Sequence, residues 1–282
     1  MKVLVTGSAG KLGLAVMQKL KAAHLRPVGA DLIESPAPNL ILDIRDKEAV
    51  LRACQHADAI IHTAALHGKH YDLGFPREEF IDTNVYGTLN LLNAAVKQGV
   101  KRFLYVSTTS IYGNAMADPA QAVWVDELVQ EQPRDIYDIT KQTAEQLCKD
   151  FFDKEGLQTS VYRVGRFLPE EPNLRANHRL YRGLDARDGA EALYLAVNHD
   201  FKNFEIFNIA SSSPFSREDL VTLKTNPAEA ISKLYPQAAA FYKAKNWSFP
   251  DSIDRLYVID KARERLGYLP QFTFEHLLTE DQ

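Results

Sequence analysis

Two hydrophobic rhythms alternate along the first 165 residues. Residues 3–6 form a short, continuous apolar run that predicts a buried strand; residues 7–13 form a glycine-rich turn, after which Leu12, Val16 and Leu20 recur at helical spacing. Further strands are predicted at 28–31, 39–43, 59–63, 102–107, 159–164 and 205–209, with helices at 47–55, 80–98, 136–155 and 186–198. In the 80–98 helix, Leu89, Leu92 and Val96 share the expected packing face. This alternation predicts a Rossmann-type, doubly wound α/β fold: a mostly parallel sheet covered on both faces, with right-handed crossovers. Prolines at 169 and 172 mark a change of texture. Residues 1–165 are therefore expected to form one large domain, and residues 166–282 a small mixed α/β cap partly interleaved with it.

Composition removes several function classes. With 33 Lys plus Arg against 37 Asp plus Glu, the formal charge is −4, so no extended basic surface points to nucleic acid. Cys54 and Cys148 are too few for a disulfide framework or a cysteine zinc cluster. The opening apolar run is shorter than a signal peptide requires, and no stretch approaches about 18 consecutive apolar residues. The expectation is a cytoplasmic protein outside the membrane.

The richest chemistry lies at the ends of the predicted strands. Gly7, Gly10 and Gly13 sit between the first strand and the first helix, where a phosphate needs exposed backbone amides, little side-chain bulk and a helix N-terminus. The spacing differs from the commoner GxGxxG, yet it can close the same pyrophosphate turn; the bland alternative is a tight turn and nothing more. Asp31 ends the second strand, where its carboxylate can accept both ribose hydroxyls of an adenine nucleotide and repel a 2′-phosphate. That favours NAD over NADP, although Lys11 in the turn leaves room for an added phosphate. Leu12 completes the turn. Asp43 and Ile44 are placed to line the adenine, and His62, Ala64 and Ala65 to border the cofactor.

Tyr137 and Lys141 are four residues apart on a predicted helix and so share a face. A nearby ammonium favours tyrosinate, and such a tyrosine can exchange a proton with a substrate hydroxyl or carbonyl. Thr108, at the end of a hydroxyl-rich strand, can bond the same substrate oxygen, with Ser107 and Thr109 as alternatives. No GxSxG or HExxH is present.

These pieces resemble the extended short-chain dehydrogenase/reductase superfamily, particularly its NAD-dependent epimerase/dehydratase and uronate dehydrogenase-like branches. The matching segments are TGSAGKLG (6–13), the acidic strand end at Asp31, DI (43–44), HTAA (62–65), NVYGT (84–88), STTSIYG (107–113) and YDITK (137–141). The resemblance implies that Tyr137 is the catalytic acid/base, that Lys141 contacts the ribose and lowers the tyrosine's pKa, that Thr108 orients substrate, and that Asn84 supports the site. Beyond residue 161 it thins. YRVGRFLPEEPN lacks the LRxxNxxGP form of many nucleotide-sugar enzymes, because Arg166 falls near the usual asparagine; RVG and PEEPN look more like uronate dehydrogenases.

The loop LHGKHYDLG places His67, Lys69 and His70 near the expected substrate mouth, and Arg166 and Arg175 offer carboxylate forks. The leading expectation is an NAD-dependent dehydrogenase acting on a carbohydrate or sugar acid, a uronate among them. A nucleotide-sugar 4-epimerase and a noncatalytic NAD-binding sensor are the alternatives. The helices at 80–98 and 136–155 can pair with a second copy to give a homodimer, or close the monomer core instead.

Overall fold

The computed structural model describes residues 1–35, 39–167 and 169–279. Its strands are β1 (Lys2–Thr6), β2 (Arg26–Asp31), β3 (Asn39–Ile41), β4 (Ala59–His62), β5 (Arg102–Thr108), β6 (Val123–Val125), β7 (Gln158–Val164), β8 (Glu205–Ile209) and β9 (Arg255–Tyr257). Seven of them form one parallel sheet in the order β3-β2-β1-β4-β5-β7-β8, while β6 and β9 pair separately, also in parallel. The strand order reverses between β1 and β4, the kind of switch point at which open α/β sheets bind ligands.

The helices that cover the sheet and flank its C-terminal edge are α1 (Lys11–Ala22), α2 (Lys47–Ala53), α3 (Gly68–Asp72), α4 (Arg77–Phe80), α5 (Gly87–Lys97), α6 (Ile136–Glu155), α7 (Pro172–Arg179) and α8 (Ala186–Val197). Successive strand residues point to opposite faces, and the two cores follow that period. Val3, Val5, Ile61, Leu104 and Val106 pack with α1 and α8, whereas Leu4, Ile60, Phe103 and Tyr105 pack with α2, α5 and α6. Each fully buried Val, Leu, Ile or Phe side chain contributes about 1.5–3 kcal/mol. A third apolar cluster, with Tyr242 and Phe274, holds the C-terminal helices together. Both β8 and α8 lie beyond residue 165, and they complete the main sheet and one of its faces. Among the described residues, no helix is long and apolar enough to cross a membrane.

The expected helix at 80–98 is present and runs on without a break in helical backbone, but its middle is not α. α4 runs into a π-helical turn, Ile81–Tyr86, before α5 begins. Asn84 turns inward from the π segment to partners distant in sequence: it accepts from the Leu66 amide at 2.8 Å and donates to the Leu66 carbonyl and the Thr140 hydroxyl, each at 3.0 Å. Such turns often mark functional sites. The buried stripe of α5 runs through Leu91, Leu92 and Ala95, while Val96, expected inside, is exposed.

Two buried polar arrangements lock the sheet to its helices. Arg163 on β7, 1% exposed, clasps Glu145 of α6 through Nη2 at 2.7 Å and Nε at 3.1 Å, and donates to the Tyr112 hydroxyl at 3.1 Å. Ser107 of β5 and Glu131 close the same network. Beneath the sheet's C-terminal edge, His62 accepts at Nδ1 from Thr6 at 2.7 Å and meets Thr88 through Nε2 at 3.0 Å. Thr88 gives its own proton to the Asn84 carbonyl, so it accepts from His62 Nε2; burial keeps the ring neutral, which leaves Nδ1 as the acceptor.

Arg163→Met would strand Glu145 without its counter-ion, and urea unfolding is expected to register a loss of about 3–5 kcal/mol. Burial, with Lys141 adding to it, pushes His62 down to about 3 from an ordinary 6.5. The unfolded chain therefore takes up this proton first, and stability should fall as pH drops from about 6.5 toward about 3. His62→Gln should flatten that slope by up to ~1.4 kcal/mol per pH unit, checked by unfolding the two proteins in parallel across this range.

Candidate active site

A cleft of about 470 Å³ opens at the C-terminal ends of β1, β4, β5 and β7. One wall is the glycine turn. Gly7 has a φ of 73°, and a Cβ at Gly13 would sit 2.1 Å from the Gly7 carbonyl, so only glycine lets α1 begin so close to β1. Gly10 is the N-cap of α1 and brings no side-chain cap. The first-turn amides are thus available to an anion, helped by the helix dipole. Lys11 and Leu12 line the same wall, the lysine donating to the Phe167 carbonyl at 2.8 Å. The turn thus offers what a pyrophosphate needs, a helix N-terminus without a side-chain cap and glycine at 7, 10 and 13.

The residues expected around the adenosine end lie farther along the sheet edge. Asp31 closes β2 and its Oδ2 accepts from the Ala9 amide at 2.9 Å, so this carboxylate also steadies the glycine turn. Asp43 chelates Arg45, whose hydrogen bonds hold its carboxyl below the usual range, and Ile44 is buried beneath Asn90. None of these three lines the described cleft. Ala65 does, while the Ala64 backbone packs on Gly7. His62, expected at the cofactor's border, is enclosed below the cleft by Thr6 and Thr88, because β4 points its ring inward.

At the cleft's other end, Tyr137 and Lys141 stand one turn apart on α6 and are 8% and 2% exposed. Asp135 caps this helix by accepting the Asp138 amide at 2.9 Å. Thr108, which ends β5, lines the same cleft as Tyr137, favours the ionised phenol and itself accepts the Ser110 amide at 3.1 Å. Thr109 instead donates to the Val164 carbonyl at 3.2 Å, and Ser107 is committed to Glu145. Desolvation raises the Tyr137 phenol above its ordinary value, partly countered by Thr108. Burial also pushes Lys141 down to about 7, and its ammonium donates to the Val106 carbonyl at 2.6 Å, 4.2 Å from the Tyr105 ring centroid. The direct lysine–phenol stabilisation expected from the spacing is therefore not what this arrangement provides: the lysine is turned to the backbone.

The substrate-side residues separate into two groups. His67 caps α3 and lies against Tyr137, with ring centroids 4.9 Å apart; burial lowers its pKa. Arg166 also lines the cleft, paired with Glu170. By contrast His70 is absorbed in the start of α3, where its Nδ1 accepts the His67 amide at 2.8 Å, and Lys69 is exposed. Arg175 is exposed on α7, outside the cleft lining, because the helix presents Ala176 and Asn177 inward instead. Arg134, Arg182 and Arg255 line the cleft and were not singled out in the sequence. Arg182 meets His178 at 2.7 Å and keeps a buried Nε without a hydrogen-bond partner among the described residues. Only its positive charge could have flagged it, since it comes from a segment with no motif.

Residues 3–182 match the family described as the NAD dependent epimerase/dehydratase family. Among curated relatives, a uronate dehydrogenase of Pseudomonas syringae pv. tomato is 28% identical over 181 residues, covering 62% of this chain and 62% of that protein. A UDP-glucose 4-epimerase of Rhizobium leguminosarum bv. trifolii is 26% identical over 323 residues, covering 98% and 94%. The solved structure of a short-chain dehydrogenase/reductase superfamily protein from Agrobacterium tumefaciens, with bound NAD, superposes with a TM-score of 0.75 at 22% identity and covers 99% of this chain and 95% of that one. Since the family match starts at β1 and continues past α7, over more than half of the chain and with β1, β4, β5 and β7 at the cleft inside it, the chain belongs to the NAD dependent epimerase/dehydratase family.

Proposed function

We propose that this protein is an NAD-dependent dehydrogenase that oxidises a hydroxyl-bearing carbon of a carbohydrate or sugar acid, with a uronate as the first candidate. The observation that carries this reading is that Thr108, Tyr137 and Lys141, all buried, line the same cleft as the glycine turn. Gly7, Gly10, Lys11, Leu12 and Gly13 would hold the pyrophosphate. Asp31 would take the adenosine ribose, with Asp43 and Ile44 toward the adenine, Ala64 and Ala65 along the middle, and Asn84 and Lys141 supporting the nicotinamide side. When bound, NAD supplies the hydride acceptor.

The chain's own residues supply the proton chemistry. Thr108 orients the substrate oxygen, and Tyr137 accepts the hydroxyl proton as the C–H bond gives up its electron pair, leaving a carbonyl, or a lactone when the carbon is anomeric. Burial opposes tyrosinate, and Lys141 in its charged form would counter that by turning from the Val106 carbonyl toward the phenol. Cleft arginines, Arg166 among them, suit a carboxylate through their planar donors. Epimerase chemistry is the second reading, favoured by the relative that aligns along nearly the whole chain. Exposed Ile81, Tyr86 and Ile139, which flank α5 and lie on α6, support a homodimer through that face.

A product-resolved screen of uronic acids, aldoses and nucleotide sugars with NAD and NADP tests the reaction. Release of NADH in amounts equal to the oxidised product is expected. A stereoisomer formed without free NADH would give the epimerase reading instead, and NAD binding with no product would give a sensor. Tyr137→Phe is expected to retain NAD affinity while kcat falls by about 10²–10⁴-fold.

A further inference from the structure

Asp138 follows Tyr137 directly and has been given no part in the chemistry. Its side chain is 0% exposed, an expensive place for a carboxylate unless its surroundings need it. Oδ2 accepts the Arg134 amide at 3.3 Å, with the Arg134 Nε 3.9 Å away, and the Ser110 hydroxyl faces the same carboxyl. Oδ1 is buried with no hydrogen-bond partner among the described residues. Both contacts belong to cleft walls, since Ser110 and Arg134 line the cavity.

Those two walls already lean on one another. Gln132 donates to the Ile111 carbonyl, and the Asn114 amide donates to Gln132, both at 3.1 Å. At Gly113, with a φ of 51°, a Cβ would come 1.8 Å from the Gln132 carbonyl, so the strands of loop touch backbone to backbone. Asp138 is the point where this pair of loops meets α6.

We propose that Asp138 is a positioning residue for proton transfer at Tyr137, pinning the Ser110 and Arg134 walls to the first turn of α6 and setting a negative charge beside the phenol. The proposal rests on the reading of Tyr137 as acid/base. Other groups face this pair: Asp135 at the helix cap, Arg134 in the loop, Lys141 on the next turn, and His67 and Arg166 across the cleft. Asp138 and Asp135 both hold the phenol in its protonated form, after the larger effect of burial.

Asp138→Asn keeps the shape and one acceptor but removes the charge; Asp138→Ala removes the anchor as well. The rising limb of kcat/KM against pH in the oxidation direction should move to lower pH in Asp138→Asn, with KM near parental. In Asp138→Ala, KM for the carbohydrate should rise about 10-fold. NAD affinity should hold in both. In the NAD-free protein, amide exchange across residues 109–116 and 130–135 should quicken about 10-fold in Asp138→Ala and stay parental in Asp138→Asn. A parental pH profile in Asp138→Asn, or parental exchange in Asp138→Ala, overturns the proposal. Turnover surviving in Tyr137→Phe would sink the acid/base reading instead, and the exchange measurement would still decide whether Asp138 pins the walls.

Discussion

The buried ion pair between Arg163 and Glu145 is the constraint on which the site's geometry depends. It joins β7 to the middle of α6, and Ser107 ties the same carboxylate to β5, one residue before Thr108. Two charges withdrawn from water give little net stability by themselves, but a single well-satisfied arrangement leaves α6 only one register against the sheet. Glu145 lies one turn beyond Lys141, which lies one turn beyond Tyr137. The pair thereby decides where the phenol stands relative to Thr108. The surrounding partners, Tyr112 and, through it, Asn208 at 2.8 Å, extend the same lock to β8.

That lock brings together groups whose burial works against charge. Desolvation favours neutral Lys141 and protonated Tyr137, while Glu145 pulls the lysine back toward its ammonium form. Nearby, His62 is held neutral between two threonines directly under the cleft floor, and so adds no competing proton. A site in this balance is sensitive to any anion or hydroxyl entering the cleft, because each new partner changes the cost of the charged states. Arg182, just past α7, and Arg255 on β9 also line the cavity, the first bonded to His178 and the second paired with Asp254.

Much of this was legible from residue order. Strand positions showed as short apolar runs, and the helices they alternate with as 3.6-residue stripes, because each must bury one face. The glycine turn, Asp31 and the Thr108, Tyr137, Lys141 set stood out because their spacing maps directly onto strand ends and a single helix face. The π turn did not stand out: Asn84 turns inward there to Leu66 and Thr140, contacts that span 18 and 56 residues. His62 was misjudged for a related reason. A strand-end residue points up or down according to sheet register, and here Thr6 and Thr88 claim both ring nitrogens.

Local order along the chain therefore determined the fold class, the glycine turn that opens α1 and the placing of Tyr137 and Lys141 on one helix face, since all three follow from periodicities of two, three and four residues. Tertiary structure alone decided that Arg182 and Arg255 reach the cleft while Arg175 does not, that Lys141 turns to the Val106 carbonyl, and that Asp138 is sealed between two loops. Those outcomes depend on which distant segments pack together and how much water they exclude. Neither the direction of a side chain across such an interface nor the cost of its charge is encoded in the spacing of its neighbours.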